Sequence, residues 1–456
     1  MTDFHGKNVL VLGLARSGFA VANLLMDLGA NVSVSDLMQR AEELEYADTL
    51  KAKGAHVTLG EHPFSLLDHV DLVVKNPGIR YDVPILVEAA NRGIPMVTEI
   101  EVAGSYTKSP IIAITGSNGK TTTTTLIGEM FSKSDLPSVV SGNIGKAMSG
   151  VVRDLPKETW LVTEVSSFQL QGTVHLRPKI AVLLNIYPTH LDYHGSFDAY
   201  RKAKLRLFAN QGQGDVAVLN ADKDNLLALL PMLREKGIEV YTFSIQTPVE
   251  QGLYRDQHTI YYRSHASATS IEVCHADEVA LKGEFNLENA LAAGTAALAA
   301  GVPLTAVVEV WRTFQGVEHR MEFVRSVQQV KFYNDSKATN PQAAIRAINS
   351  FSEPVIVILG GLERGDDLSV LEEPLRQHAK AVVVLGESAE RMKATAIRAG
   401  ISLIRSVSSI EEAVTEAVAF STSNDVILLS PAAASWDMFP SFEVRGRIFK
   451  EAVHKL

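Results

Sequence analysis

Apolar residues along this chain come in short bursts, four to six long, separated by longer amphipathic stretches and closed by polar or glycine-rich turns. KNVLVLGLARSG opens the pattern, and ANVSVSD, VDLVVKNPGI and IPMVTEI continue it. A second block begins at SPIIAITGSNGK and runs through TWLVTEVSS, KIAVLLNIYPTHLD and GDVAVLN; a third carries VKFYNDSKAT, PVIVILGG, AVVVLGES and DVILLSPAAAS. Bursts of this length read as buried strands, and their alternation with helical stretches predicts mostly parallel sheets covered by helices on both faces. Between Ile238 and Leu281 the pattern changes to the two-residue alternation of HTIYYR and SIEVCHADEVAL, which predicts a small antiparallel insertion. GEFNLENALAAGTAALAAG then reads as a closely packed helix. The expected fold is α/β in three domains: a Rossmann-like N-terminal domain over 1–98, a central P-loop ATPase domain over 99–316 bearing the insertion, and a Rossmann-like C-terminal domain over 317–456.

Composition narrows the function. With 456 residues the chain has room for several cores, and 46% hydrophobic against 21% charged residues is ordinary globular usage. A formal net charge of -9 argues against a nucleic-acid partner. Cys274 is the single cysteine, so neither a disulfide framework nor a thiolate metal site is available. MTDFHGKNVLVLG lacks the layout of a secretion signal, and no apolar run is long enough for a membrane span. A cytoplasmic protein without membrane partner is expected, and a monomer.

The most informative stretch is IIAITGSNGKTTTTT. Directly after an apolar strand, Gly116 and Gly119 permit a turn in which the backbone N–H groups of Gly116, Ser117, Asn118 and Gly119 converge on an anion. The helix that follows contributes the positive end of its dipole. Lys120 can reach the terminal phosphates of a nucleotide, and the Thr121 hydroxyl stands where a magnesium ion would bridge them, with Thr122 next to it completing the nucleotide loop. The spacing is a shortened version of the usual phosphate loop. By itself it suits a P-loop ATPase as well as an enzyme that makes bonds.

Other residues are ambiguous alone. Glu164 ends the strand of TWLVTEVSS, where an open α/β sheet puts its active residues and a magnesium carboxylate could stand, although a lone strand-end glutamate is more often a solvated loop residue. His190, Asp192 and His194 share one loop and read either as metal ligands or as hydrogen-bonded loop residues. Lys204 in YRKAKLR reads as a helix-surface ion pair, and Asn286 and Asn289 read as helix caps. In the first block, Gly13 and Gly18 precede Asp36, but the middle glycine of a dinucleotide fingerprint is missing.

Taken together, TGSNGKTT, EVSSFQL, NIYPTHLD, YRKAKLRLF, NDSKATNP and LSPAAASWDMFPSFEVRGRIF resemble the bacterial Mur ligases across all three blocks. The C-terminal motifs favour the branch that adds D-glutamate. This resemblance implies ATP-dependent joining of D-glutamate to UDP-N-acetylmuramoyl-L-alanine through an acyl phosphate, in cytoplasmic peptidoglycan precursor synthesis, with ATP and two magnesium ions. It implies that Lys120 and Thr121 hold phosphates and magnesium, that Glu164 and His190 are magnesium ligands, and that Lys204 is carbamylated and serves the metal environment. Asn143 is implied near the reacting carboxylate, Asn286 and Asn289 on the adenine side, and Arg320 and Asp335 as nucleotide contacts from the C-terminal domain. For the UDP part it implies Arg16, Ser17, Asp36 and Asn76; the arginine that relatives carry shortly after the aspartate is not evident in SDLMQR. Lys337, Thr339, Ser435 and Phe442 are implied as D-glutamate contacts. Arg364 stands where a lysine can occur, and Trp436 where some relatives have a smaller apolar residue. The C-terminal domain is expected to swing onto the central one when ligands bind.

Overall fold

Side chains that alternate along a strand point to opposite faces, so a run such as Ile111-Ile112-Ala113-Ile114 needs apolar cover on both sides. The computed structural model, which describes residues 3–37, 41–264, 269–281 and 283–456, supplies that cover throughout. Ile112 and Ile114 pack with Leu126, Ile127, Leu291 and Ala292, while Ile111 and Ala113 belong to a separate cluster with Leu161, Ala181 and Leu183. The chain divides into two compact units, Met1–Phe314 and Gln315–Leu456. No described helix is long and apolar enough to cross a membrane.

Three sheets form the scaffold. The first contains β1 (Asn8–Leu12), β2 (Asn31–Asp36), β3 (His56–Leu59), β4 (Leu72–Lys75) and β5 (Met96–Thr98), in the order β3-β2-β1-β4-β5. All its pairings are parallel. Strand order reverses between β1 and β4, and such a point opens a crevice beyond the carboxyl ends of the strands. Gly13 and Asn76 stand there.

The second sheet holds β6 (Ile111–Thr115), β7 (Ser138–Gly142), β8 (Trp160–Glu164), β9 (Ile180–Leu183), β10 (Val216–Asn220), β11 (Glu239–Ser244), β12 (Gly252–Asp256), β13 (Thr259–Arg263) and β14 (Ile271–His275). Their order is β14-β13-β12-β11-β10-β9-β6-β8-β7. The antiparallel strands expected between 238 and 281 are present as the β12-β13-β14 meander, and they extend the parallel sheet rather than stand apart from it. The alanine-rich helix Glu284–Ala299 lies against this sheet. A Cβ at its Gly294 would approach the Trp311 ring to 2.7 Å and Leu253 to 2.8 Å, which is why that stretch of sequence is made of small residues.

In the second unit, β15 (Glu322–Val327), β16 (Val330–Asn334), β17 (Val355–Gly360), β18 (Ala379–Leu385), β19 (Ile404–Ser406) and β20 (Val426–Leu429) run in the order β15-β16-β20-β17-β18-β19. Only the β15–β16 pairing in this sheet is antiparallel. Here too the loops bearing the sequence motifs leave the carboxyl ends of parallel strands: 335–339 after β16, 361–366 after β17 and 430–441 after β20.

Candidate active site

The turn after β6 is held by its neighbours on every side. Gly119 has φ +86° and precedes the helix Lys120–Ser132. Any Cβ there would run into Asn289 Oδ1, so the left-handed backbone and the close neighbour both require glycine. Ser117 N–H donates to Asn185 O at 3.0 Å, and Asn118 N–H donates to Asn185 Oδ1 at 2.9 Å. The Ser117 hydroxyl donates to Tyr187 O at 3.1 Å and lies 2.8 Å from the Tyr200 hydroxyl. Lys120 folds back over the loop, its Nζ donating to Gly116 O at 2.9 Å and Ser117 O at 3.2 Å. Thr121 and Thr122 sit buried in the first helical turn.

Beneath the loop lies Lys204, on the helix Phe197–Leu205 and only 1% exposed. Its Nζ donates to Gly116 O at 2.8 Å and Thr115 Oγ1 at 3.3 Å. The ion-pair reading of this lysine does not hold: the side chain points inward, away from solvent. Burial, and then the Lys120 charge, hold its ammonium well below the ordinary lysine range, with Glu164 opposing them.

Glu164, at the end of β8, is 2% exposed and therefore no solvated loop residue. Asn143 Nδ2 donates to its Oε1 at 2.8 Å, while Oε2 is buried with no hydrogen-bond partner. A buried anionic oxygen left in that state is costly unless a ligand supplies the missing charge. Gly142 brings the Asn143 turn this close, for a Cβ there would strike the Glu164 carbonyl. The site therefore fits a hard divalent cation: Glu164 Oε2 and the Thr121 hydroxyl are oxygen donors of the kind magnesium takes.

His190 adopts left-handed backbone, φ 55°, at the start of the turn Leu191–His194. It joins the group through rings, meeting Phe168 edge-on at 5.0 Å, while Phe168 stacks on His194 at 5.4 Å and His194 meets Tyr200 at 5.3 Å. His194 Nε2 lies 3.0 Å from the Ser167 hydroxyl. The side chain of Asp192 lies outside the described residues. Asn286 and Asn289 are not caps, since the helix begins at Glu284 behind Gly283 and both stand inside it. Asn289 is 2% exposed and its Nδ2 has no hydrogen-bond partner.

In the first sheet's crevice, Asn76 Nδ2 donates to Ser17 Oγ at 3.2 Å, and Asp36 Oδ2 accepts from Leu14 N at 2.5 Å. Gly13 passes so close to Asn76 that a Cβ would be 2.7 Å from Asn76 Cβ. Gly18 seats the helix Arg16–Asp27 on the Gly13 carbonyl, so the two glycines of the broken fingerprint are explained by packing. Arg16 is exposed at the start of that helix. Residues 38–40, in SDLMQR, lie outside the described residues.

The second unit gathers its own group. Asp335 is 6% exposed; it accepts from Ser430 Oγ at 2.9 Å and Met321 N at 3.2 Å, and burial pushes its carboxyl up to about 6 against the opposing Arg320 charge. Lys337 Nζ lies 5.3 Å from the centre of the Phe442 ring, and the Arg364 guanidinium lies 4.7 Å from the centre of the Trp436 ring. Thr339 N–H donates to Lys337 O at 2.9 Å, and Ser435 is buried at the turn where Phe439 N–H donates to its carbonyl. Arg445, a residue sequence reasoning passed over, is 1% exposed and ties the three loops together. It donates to Ser336 Oγ at 3.0 Å, Ser336 O at 2.9 Å, Ala433 O at 3.2 Å and Gly360 O at 3.4 Å.

Asn185, Tyr200 and Lys75 were missed as well. Asn185 and Tyr200 lie within the quoted motifs, and a polar residue directly after an apolar strand was the available signal for Asn185. Lys75, 1% exposed at the end of β4, bonds the Tyr193 hydroxyl at 3.2 Å and lies 4.3 Å from the Tyr81 ring centre.

Comparison with known proteins identifies the family. Residues 7–98 match the MurD-like N-terminal domain of Mur ligases, residues 114–297 the Mur ligase middle domain, and residues 319–433 the Mur ligase glutamate ligase domain. The chain is 45% identical to the UDP-N-acetylmuramoylalanine--D-glutamate ligases of Bacillus thuringiensis (strain Al Hakam) and Bacillus cereus (strain AH820), over 100% of this chain and 99% of each relative. Among solved structures, MurC of Thermotoga maritima has a TM-score of 0.55 at 19% identity, covering 99% of this chain and 100% of its own. MurF of Acinetobacter baumannii has a TM-score of 0.57 at 17% identity, covering 92% and 91%. At those identities the structures establish the shared fold.

Proposed function

The chain belongs to the Mur ligase family, and from that premise we propose how its residues divide the work of joining D-glutamate to UDP-N-acetylmuramoyl-L-alanine. The enzyme is an ATP-dependent ligase of peptidoglycan precursor synthesis, with magnesium as its metal. Residues 1–98 hold the UDP substrate, 99–316 the ATP and 317–456 the amino acid. What supports this division is that each segment ends its parallel strands in one of the three groups of loops described above.

A carboxylate does not react with an amine in water, because it is resonance-stabilised and would have to expel hydroxide. The alanyl carboxylate of the substrate therefore attacks the γ-phosphorus of ATP; a C–O–P bond forms, the bond to ADP breaks, and an acyl phosphate results. The amine of D-glutamate attacks the acyl carbon, loses a proton, and expels phosphate as the amide forms. Magnesium, when bound, screens the crowded phosphate charge and orients the transferred group.

The chain's own residues bind and orient the reactants. The loop Gly116–Gly119 and the backbone N–H groups at the start of the helix Lys120–Ser132 cradle the triphosphate; the N–H groups of Ser117 and Asn118 do not take part as the sequence suggested, because both donate to Asn185. Lys120, released from its loop carbonyls, follows the transferred phosphoryl. Thr121 and Glu164 hold one metal ion and His190 a second, with Lys204 carbamylated so that an anion replaces a buried cation. Asn143 orients Glu164 and the reacting carboxylate. Asn286 and Asn289 face the adenine, Arg320 and Asp335 the nucleotide. Arg16, Ser17, Asp36 and Asn76 receive the UDP portion; Lys337, Thr339, Arg364, Ser435 and Phe442 receive D-glutamate. We take the active form to be a cytoplasmic monomer, which light scattering on the active enzyme would test.

One observation carries this reading: beside the phosphate loop, a buried carboxylate has one oxygen engaged by Asn143 and the other without a hydrogen-bond partner. Phosphate release measured with single omissions is the test. Release should require ATP, magnesium, UDP-N-acetylmuramoyl-L-alanine and D-glutamate together. Sustained release without an amino acid, or with L-lysine in place of D-glutamate, would overturn the assignment.

A further inference from the structure

Two cations at the loop end of the third sheet each lie over an aromatic ring, Lys337 over Phe442 and Arg364 over Trp436. The second pair is built by the backbone beneath it. Leu362 N–H donates to Ala434 O at 2.8 Å, and Gly361 is pressed so close to that carbonyl that it has no room for a Cβ. Arg445 bonds the carbonyls of Gly360 and Ala433 from below. The loop after β17 is thus locked to the loop after β20, two residues before Arg364 on one side and Trp436 on the other. Trp436 is 55% exposed, so its indole adds little to the core, yet it is placed against a guanidinium. Arg364 and Trp436, from loops far apart in sequence, are thus brought together at the mouth of this locked pair.

We propose that Trp436 is a positioning residue that sets amino-acid specificity by fixing the plane of Arg364. A lysine presents a point charge and needs no such support, whereas a guanidinium recognises a carboxylate through two parallel N–H bonds only when its plane is set. Held over the indole face, 4.7 Å from its centre, the fork meets the side-chain carboxylate of D-glutamate in a restricted range of angles. A dicarboxylic acid one methylene shorter fails to reach it. This rests on the reading above that Arg364 receives D-glutamate, taken here to be through the side-chain carboxylate.

The test is a double-mutant cycle on the full-length enzyme, with KM and kcat for D-glutamate and D-aspartate at saturating ATP and sugar nucleotide. Trp436→Leu should raise the KM for D-glutamate about 2- to 5-fold, the range of an exposed cation–π contact. The KM for the sugar nucleotide and the melting temperature should stay put, and preference over D-aspartate should narrow. Trp436→Phe, which keeps a ring face, should recover most of the loss. In an Arg364→Lys background the same Trp436→Leu change should alter the KM less than about twofold. An equal effect of Trp436→Leu in both backgrounds, or none in the wild-type background, would overturn the proposal. If Arg364→Ala leaves the KM for D-glutamate at the wild-type value, the underlying pairing fails and the proposal falls with it, a pattern distinct from the first two.

Discussion

Replacing Lys204 gives a quantitative test of the metal environment. Lys120 and Lys204 both donate to the Gly116 carbonyl, at 2.9 and 2.8 Å, so their ammonium nitrogens are at most about 5.7 Å apart. Two like charges at that distance repel by about 3 kcal/mol at an effective dielectric of about 20. No ion pair to a carboxylate offsets this for Lys204 among the described residues, and Glu164 opposes it only through space. Carbon dioxide adding to the neutral amine, with loss of a proton, replaces the cation by a carbamate whose charge lies on oxygens just beyond Nζ, and the repulsion gives way to an attraction of the same order. Lys204→Ala removes that attraction, so kcat should fall by about two orders of magnitude. Acetate or another short acid should restore part of it by occupying the vacated volume. Lys204→Arg keeps the repulsive charge and cannot be carbamylated, so it should be no better than alanine. Steady-state kinetics with and without acetate, alongside carbon-13 NMR of wild-type enzyme in labelled bicarbonate, make the comparison. Full activity in Lys204→Arg, or wild-type enzyme with no carbamate signal, would refute the argument.

Other substitutions probe the same framework. Glu164→Gln leaves an acceptor for Asn143 but removes the charge, and should raise half-saturating magnesium about 10- to 100-fold, as a metal titration of activity would show; an unchanged titration removes Glu164 from the metal. Gly119→Ala forces a left-handed alanine and displaces Asn289, so it should cost about 1–2 kcal/mol of stability and raise the KM for ATP, measured by denaturation and kinetics; normal ATP saturation would count against the loop. Lys75 tests linkage: burial holds it down to about 8, so between there and its unfolded value near 10.5 the unfolded chain binds more protons and native stability rises with pH. That rise amounts to about 3 kcal/mol. Lys75→Met should be stabilising at pH 7 and lose its advantage by pH 10; parallel melting profiles from pH 7 to 10 would contradict this.

The strands and the phosphate loop were legible because their signals are local. IIAIT is apolar on both faces, and the glycines and lysine that follow act within six residues of one another. Short strands with mixed burial, such as β3, β15 and β19, gave no comparable signal. Lys204 was illegible for a different reason: YRKAKLR looks polar all round, and only the packing of its helix under the β6 loop shows which lysine turns inward. The two asparagines misled because capping preference is a local tendency, whereas the start of their helix is set by Gly283. Arg445 could not be found from SFEVRGRIF, since its partners are carbonyls from three loops far apart in sequence.

Oxygen transfer offers the most direct test of the claim that the loop after β6 holds ATP for activation of the substrate's acid. With the alanyl carboxylate of UDP-N-acetylmuramoyl-L-alanine labelled with oxygen-18, one labelled oxygen should appear in inorganic phosphate for each amide formed, and Lys120→Ala should abolish the transfer. Label retained wholly in the amide product and the unreacted substrate, with none in phosphate, would contradict the account.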